Sequence, residues 1–170
     1  YDIRLSSVRH LAHKLHFEKD HSEHVAMLAL ALFDQTAALH RCGAYERELI
    51  EAAAILHEVG LFISHERHHQ HSYYLIRNAE LLGFREDEKE IIANIARYHR
   101  KSHPKTKHED YFRLPDASRR IVRMMAGILR IADGLDRTHR NVVKGVRVVV
   151  GGKRVLLRPR LKKGMKAELE

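Results

Sequence analysis

The chain has 170 residues, a length that predicts one domain or one domain with a small appendage. It carries 31 basic and 22 acidic residues besides 15 histidines, so its formal net charge of +9 favours a polyanionic partner. No apolar run approaches the roughly 20 residues of a membrane span, so a transmembrane helix is not predicted. The single cysteine, Cys42, excludes an internal disulfide, and this composition is typical of a reducing cytoplasm.

Helical periodicity predicts the elements of the first 140 residues in order. Asp20, with Glu23 three residues later, indicates a capping box at the start of a long helix that ends at Gly43. The AAAIL segment of the helix after it is almost wholly apolar, so we expect that helix to be central and buried. The segments in chain order are a first helix from Leu5 to Leu15, a second over 20–41, a third over 46–60, a His-rich connection over 65–71, a fourth helix ending near 83, a fifth over 86–100, a polar loop over 101–115 and a sixth helix over 116–140.

The pattern changes after residue 141. Two β-branched runs, 146–150 and 153–157, flank Gly151 and Gly152, which is the pattern of a β-hairpin. A lone hairpin is marginal in water, so it must pack on the helices or continue in further chain. We therefore predict an all-α helical bundle over 1–141 with a small β-hairpin appendage over 142–170, and we expect a piece cut from a longer protein.

One histidine, an adjacent histidine–acid pair and a late aspartate lie on separate predicted helices. These residues are His24, His57, Glu58 and Asp133. Imidazole and carboxylate ligands suit a divalent ion of the Mn, Fe, Co, Ni or Zn type. A bound ion lowers the pKa of its water and polarises a phosphoryl oxygen, which is what phosphoester hydrolysis needs. The alternative is a hydrogen-bonded polar cluster in the helical core without a metal.

Further histidines and basic residues surround this predicted centre. Among the histidines, His71 and His99 are the candidates for assisting, since each begins or ends a helix beside the centre, whereas a solvated cluster is the expectation for His65, His68 and His69. Arg130 and Arg137 are seven residues apart and share a helical face with Asp133. The side chains that we expect to bind phosphate are Arg100, Lys101, Arg130 and Arg137. An ion-paired exposed helix is the alternative.

Several segments of the sequence resemble those of known proteins. The His, His–acid and Asp pattern resembles the HD superfamily of metal-dependent phosphohydrolases, with Glu58 where that pattern has Asp. LFISHERHHQHSYYLIRNAELLGF, IIANIARYHRKSHPK and MAGILRIADGLDRTHR are more specific. They resemble the C-terminal HD-type domain of the exopolyphosphatase / guanosine pentaphosphate phosphohydrolase family, and the hairpin with its AELE ending resembles the β appendage there.

The resemblance implies a function as part of a larger enzyme. In that family an actin-like N-terminal half carries the catalytic residues, and the helical half binds the polyanion, lines its channel and mediates dimerisation. The first hypothesis is therefore a domain that binds polyphosphate or guanosine polyphosphate and assembles a homodimer within a phosphoanhydride hydrolase. The second is an autonomous phosphohydrolase that uses Mn, Fe, Co, Ni, Zn or Mg. The third is a nucleic-acid-binding module, disfavoured because few aromatic residues are present.

Overall fold

The computed structural model describes residues 2–164, and the observed elements follow the predicted order. The expected fold class, mainly α with a terminal hairpin, is confirmed. The elements are α1 (Ile3–Lys14), α2 (Lys19–Gln35), α3 (Ala37–His40), α4 (Ala44–Leu56), a 3-10 helix (Val59–Phe62), α5 (His68–Asn78), α6 (Glu86–Arg97), α7 (Glu109–Phe112), α8 (Asp116–Leu135), β1 (Val143–Gly151) and β2 (Arg154–Leu161).

Helix α4 lies at the centre of the bundle, as its apolar sequence predicted. Every residue from Ala52 to Leu56 is buried, together with Leu49 and Ile50. Helices α1, α2, α6 and α8 pack around it. At its start, the Glu46 carboxylate accepts a hydrogen bond from the Gly43 N–H at 2.8 Å, which satisfies one of the donors that a helix end leaves unpaired. Across residues 2–164, none of the helices combines the length and apolar character that crossing a membrane requires.

Helix α2 begins and ends differently from the prediction. It starts at Lys19, after Glu18, and the proposed Asp20–Glu23 capping box is wrong, because Glu23 instead pairs with Arg9 at 3.0 Å. It also stops at Gln35 rather than near Arg41. The hydroxyl of Thr36 donates to the carbonyl of Leu32 at 2.7 Å and so competes with the helical bonding, and the short α3 follows.

The polar segment after α6 is also more ordered than predicted. Helix α6 ends at Arg97, and α7 lies within the segment that was predicted as a loop. Beyond the end of α6, the carbonyls of Tyr98 and Lys101 accept hydrogen bonds from the side chain of Arg130 in α8. The segment is therefore held against α8 by a side chain.

The hairpin packs on α2 through one apolar face. Val143 and Val146 are buried, and Val148 and Leu157 pack against the core. Gly151 pairs with Arg154, so the turn consists of Gly152, at φ +57°, and Lys153, one residue later than predicted. The predicted AELE ending lies outside the described residues, and the predicted boundary between 141 and 142 stays a prediction.

Candidate metal centre and basic cavity

Three helices bring two imidazoles and two carboxylates together. His21 comes from the first turn of α2, His57 and Glu58 follow α4, and Asp133 comes from the last turn of α8. One ligand atom of each lies within 4.8 Å of those of the other three. The Nε2 atoms of His21 and His57 are each 3.2 Å from Oδ1 of Asp133. Three of the four predicted metal ligands, His57, Glu58 and Asp133, therefore do converge.

The prediction that His24 lies beside them is wrong. Its Nε2 is 2.6 Å from the carbonyl oxygen of Val143, so it binds the first strand of the hairpin. His21 takes the expected place. Residues of a helix turn by about 100° each, so side chains three positions apart differ by about 60°, enough to send His21 to the centre and His24 to the hairpin.

Each imidazole of the centre is anchored through Nδ1. Nδ1 of His57 donates to the carbonyl of Ala54 at 2.5 Å, and Nδ1 of His21 binds Asp136 at 2.8 Å. In the neutral ring this leaves Nε2 as a bare lone pair, and both Nε2 atoms face Asp133. A lone pair facing a carboxylate is repulsive unless a cation lies between them. The geometry therefore requires positive charge at this point.

Protons or a metal ion can supply that charge. Burial disfavours charged imidazoles, but hydrogen bonds to Asp133 and Asp136 raise the pKa of His21 to about 10. At His57 burial again lowers the pKa, but the hydrogen bond to Asp133 and the nearby carboxylates together have the larger effect, so the pKa is raised overall. His21 and His57 in turn hold the pKa of Asp133 well below its ordinary value, against the effect of burial. These directions mean that protonation of the imidazoles is favoured beside Asp133 when no metal is present.

A second group of possible ligands adjoins the first. Glu58, His68 and His99 each offer an atom within 4.8 Å of the others. His99 donates from Nδ1 to the carbonyl of Ala96 at 2.6 Å, and its Nε2 is buried without a hydrogen-bond partner, as is Nε2 of His68. Burial lowers the pKa of His99 well below its ordinary value, so the ring is neutral and its lone pair is available.

The structure gives different positions to His71 and His99, the two histidines that were predicted to assist. His99 lies beside the centre, with its ring centroid 4.9 Å from that of His57. His71 joins neither a candidate ligand group among residues 2–164 nor the lining of the cavity described below, and its assisting role stays a prediction. His68, expected to be solvated, is 2% exposed and points to the centre instead.

Members of these groups line an open cavity of about 800 Å³. Its lining includes Glu58, His68, His99, Asp133 and all four predicted phosphate-binding residues, Arg100, Lys101, Arg130 and Arg137. These four basic residues, here called the basic wall, therefore line the same cavity as members of the histidine–carboxylate cluster, which suits an anionic ligand bound beside a metal ion.

Arg130 has a structural contact besides lining the cavity. Its guanidinium donates to the carbonyl of Lys101 at 2.8 Å and to that of Tyr98 at 3.3 Å. Lys101 itself has φ +61°, a left-handed conformation that L residues rarely adopt. Arg130 thereby holds the segment that carries Arg100 and Lys101, so its replacement would disturb those two residues as well.

The residues present fit a divalent metal. Oε2 of Glu58 and Nε2 of His68 and His99 are buried without hydrogen-bond partners, and unpaired buried polar atoms are unfavourable unless something binds them. Imidazole and carboxylate ligands suit Mn, Fe, Co, Ni or Zn, and anchoring of Nδ1 by a carbonyl or carboxylate is common at such sites. The carboxylate of Glu58 belongs to every candidate ligand group found among residues 2–164.

Helical phase could have identified the two histidines that sequence reasoning missed. His21 is in phase with Val25, Leu28 and Leu32, the buried stripe of α2. His68 is likewise in phase with Ser72 and Ile76, the other buried residues of α5.

Fold and site together define a helical domain with a candidate metal centre that faces a basic cavity. The family model for Ppx/GppA phosphatase, domain III, matches residues 3–156. The chain belongs to this family, and the expected relationship to exopolyphosphatase-like hydrolases is confirmed.

Proposed function

We propose that the cavity binds a polyphosphate-type substrate at a divalent metal ion and hydrolyses its phosphoanhydride bonds. The observation that carries the proposal is the convergence of imidazole nitrogens and carboxylates beside a cavity that the basic wall also lines. His21, His57, Glu58 and Asp133 would hold the ion, with His68 and His99 beside it. A bound ion would polarise a phosphoryl oxygen and lower the pKa of a water molecule.

The remaining residues of the cavity would bind and orient the substrate. Arg100, Lys101 and Arg137 line the wall, where a guanidinium can donate two parallel hydrogen bonds to a phosphate. Arg130 would keep Arg100 and Lys101 in place through its bonds to the backbone. His99, neutral in its buried position, would keep Nε2 available as a ligand.

The second candidate function is polyphosphate binding without hydrolysis, as a domain of a larger phosphoanhydride hydrolase. The four basic residues of the wall support it equally, because an anion can bind to them without a metal. The domain would then position the polymer for a catalytic centre elsewhere. A homodimer, a cytoplasmic location and the choice between polyphosphate and guanosine pentaphosphate stay predictions.

Metal content tests the first candidate. Elemental analysis of the purified chain after incubation with Mn, Co or Ni and desalting should give about one ion per chain or more. His57→Ala should lose that ion, since it removes a central ligand, and should abolish phosphate release from polyphosphate. Exposed His103→Ala is the matched control and should retain both. Absence of bound metal from the wild-type chain would overturn the first candidate and leave the second.

Polyphosphate affinity tests both candidates. We expect affinity to fall linearly with salt on logarithmic axes, because binding releases counterions. Arg100→Gln should weaken binding tenfold or more by removing a charge-assisted contact, which corresponds to about 1.4 kcal/mol. Arg154→Gln on the exposed hairpin is the control. Equal losses in the two variants, measured by titration calorimetry, would mean that the cavity is not the binding site.

A further inference from the structure

A third group of possible ligands lies on the more exposed side of the candidate centre. Glu18, Glu58 and His139 each offer one atom within 4.8 Å of the others. The side chain of Glu58 is 11% exposed, that of His139 34% and that of Glu18 50%. We propose that these three residues hold an additional divalent cation, here called the outer site, next to the inner site of His21, His57, Glu58 and Asp133.

His139 is held in position by two contacts. Its Nδ1 is 2.8 Å from Oε2 of Glu18, and its ring stacks on that of His21 at 3.5 Å between centroids, with 3° between the planes. A separation of 2.8 Å is also close to that between two neighbouring ligand atoms of one ion, so Nδ1 and Oε2 can bind the same cation when Nδ1 carries no proton. The stacking on His21 fixes the plane of the His139 ring, so its Nδ1 stays directed at Glu18.

The backbone of this turn is built in an unfavourable conformation. His139 has φ +56° and Asn141 has φ +53°, both in the left-handed region, which is unfavourable for residues other than glycine. The N–H of Asn141 donates to Asp136 at 2.9 Å, which fixes the turn on the same carboxylate group that anchors His21. A strained turn that presents an imidazole to the cavity points to a role for that imidazole beyond packing.

Glu58 connects the outer site to the inner one. It belongs to all three candidate ligand groups of the described residues, and its buried Oε2 has no hydrogen-bond partner. A carboxylate has two oxygens and can bridge two ions, as in two-metal phosphatase sites. The ions would then lie close enough to contact one phosphate group from two sides.

The ligands predict different affinities for the two sites. The inner site has two imidazoles and is mostly buried, which favours a tightly held transition metal. The outer site has two carboxylates and one imidazole and is open to water, which favours a weakly held Mn²⁺ or Mg²⁺ that keeps several waters. This inference rests on the proposed function, for which the outer cation would help to neutralise bound phosphate.

Mn²⁺ titration of the full chain, followed by electron paramagnetic resonance of the free ion, tests the proposal. The wild-type chain should show a tight class and at least one weak class of site. The double variant Glu18→Gln/His139→Asn should weaken a weak class tenfold or more and keep the tight class. The matched control is His10→Asn/Glu80→Gln, which changes the same residue types in a groove lined by Ile3 and Leu82.

Crystals of the wild-type chain soaked in Mn²⁺ give an independent measurement if the double variant does not fold. An anomalous peak between Glu18, Glu58 and His139 supports the outer site. A peak at the inner site alone, or an unchanged titration of a folded double variant, overturns the outer site and leaves the proposed function intact. No Mn²⁺ bound to the wild-type chain at any position overturns both.

Discussion

At the scale of single residues, Gly60 sets how closely His68 of α5 approaches the candidate centre. Gly60 lies in the 3-10 helix after Glu58, where a Cβ would overlap the carbonyl oxygen of His68 and lie 2.5 Å from the backbone nitrogen of Ser72. Its own N–H donates to the hydroxyl of Ser72 at 2.9 Å, and that hydroxyl donates to the carbonyl of His57 at 2.8 Å. The close approach of the 3-10 helix to α5 therefore sets the distance between Glu58 and His68.

We predict that Gly60→Ala lowers the free energy of unfolding by about 3 kcal/mol, because the overlap is with backbone atoms that cannot rotate away. Gly127→Ala in α8 is the control. A Cβ there meets no atom within 4 Å, and the better helix propensity of alanine should raise stability by about 0.5–1 kcal/mol. Urea denaturation measures both. Equal effects of the two substitutions would contradict the packing argument.

At the scale of elements, the start of α6 depends on one buried carboxylate. Glu88 is 1% exposed and accepts from the N–H of Arg85 at 2.8 Å, which closes a capping box. It also pairs with Arg4 of α1 at 3.1 Å, and Arg4 donates to the carbonyl of Gly83 at 3.1 Å. The contact between α1 and the start of α6 is therefore polar and specific.

We predict that Glu88→Gln lowers the free energy of unfolding by about 2 kcal/mol, since it removes the charge from two hydrogen bonds in a buried position. Glu86→Gln in the same first turn is the control. The Glu86 side chain is 71% exposed, and its replacement should leave stability almost unchanged. Thermal melting compares the two. A larger effect at Glu86 would show that general attraction to the helix dipole, rather than the buried pair, stabilises this helix end.

At the scale of the whole molecule, side chains of α2 fasten the hairpin to the bundle. The amide of Gln35 donates to the carbonyl of Val146 at 2.8 Å and accepts from the N–H of Val148 at 2.9 Å, so it pairs with β1 as a neighbouring strand would. His24 adds a contact to the carbonyl of Val143. These bonds and the buried face of β1 explain how a two-stranded hairpin is stable here.

We predict that Gln35→Leu increases amide hydrogen exchange at Val148 by about threefold to tenfold, the loss expected for one hydrogen bond, while the helices melt nearly as before. Gln70→Leu, on the exposed surface of α5, is the control and should leave Val148 unchanged. Exchange followed by nuclear magnetic resonance measures the effect. An unchanged rate at Val148 in Gln35→Leu would mean that the apolar face alone holds the hairpin.

The net positive charge is also distributed unevenly over the molecule. Residues 137–164 contain no acidic residue, and they include ten of the 31 lysines and arginines of the chain. Arg147 and Arg158 lie directly opposite each other in the hairpin, a pairing of like charges that is unfavourable in a sheet. The basic residues are therefore concentrated on particular surfaces, namely the hairpin and the basic wall of the cavity, and are not spread evenly over the molecule.

The sequence by itself determined the element order, the central position of α4, the hairpin and the family. These features depend on hydrophobic periodicity, on turn residues and on long segments that are characteristic of the family. It also predicted most of the side chains that lie together at the candidate centre and its cavity, namely His57, Glu58, Asp133 and the basic wall. Only the tertiary structure decided that His21 replaces His24, that His68 points to the centre, that His139 stacks on His21, and that Arg130 holds a loop. A residue three positions along a helix lies about 4.5 Å further along the axis and is turned by about 60°, so its side chain can meet a different neighbour, and only packing decides which of the two reaches the centre.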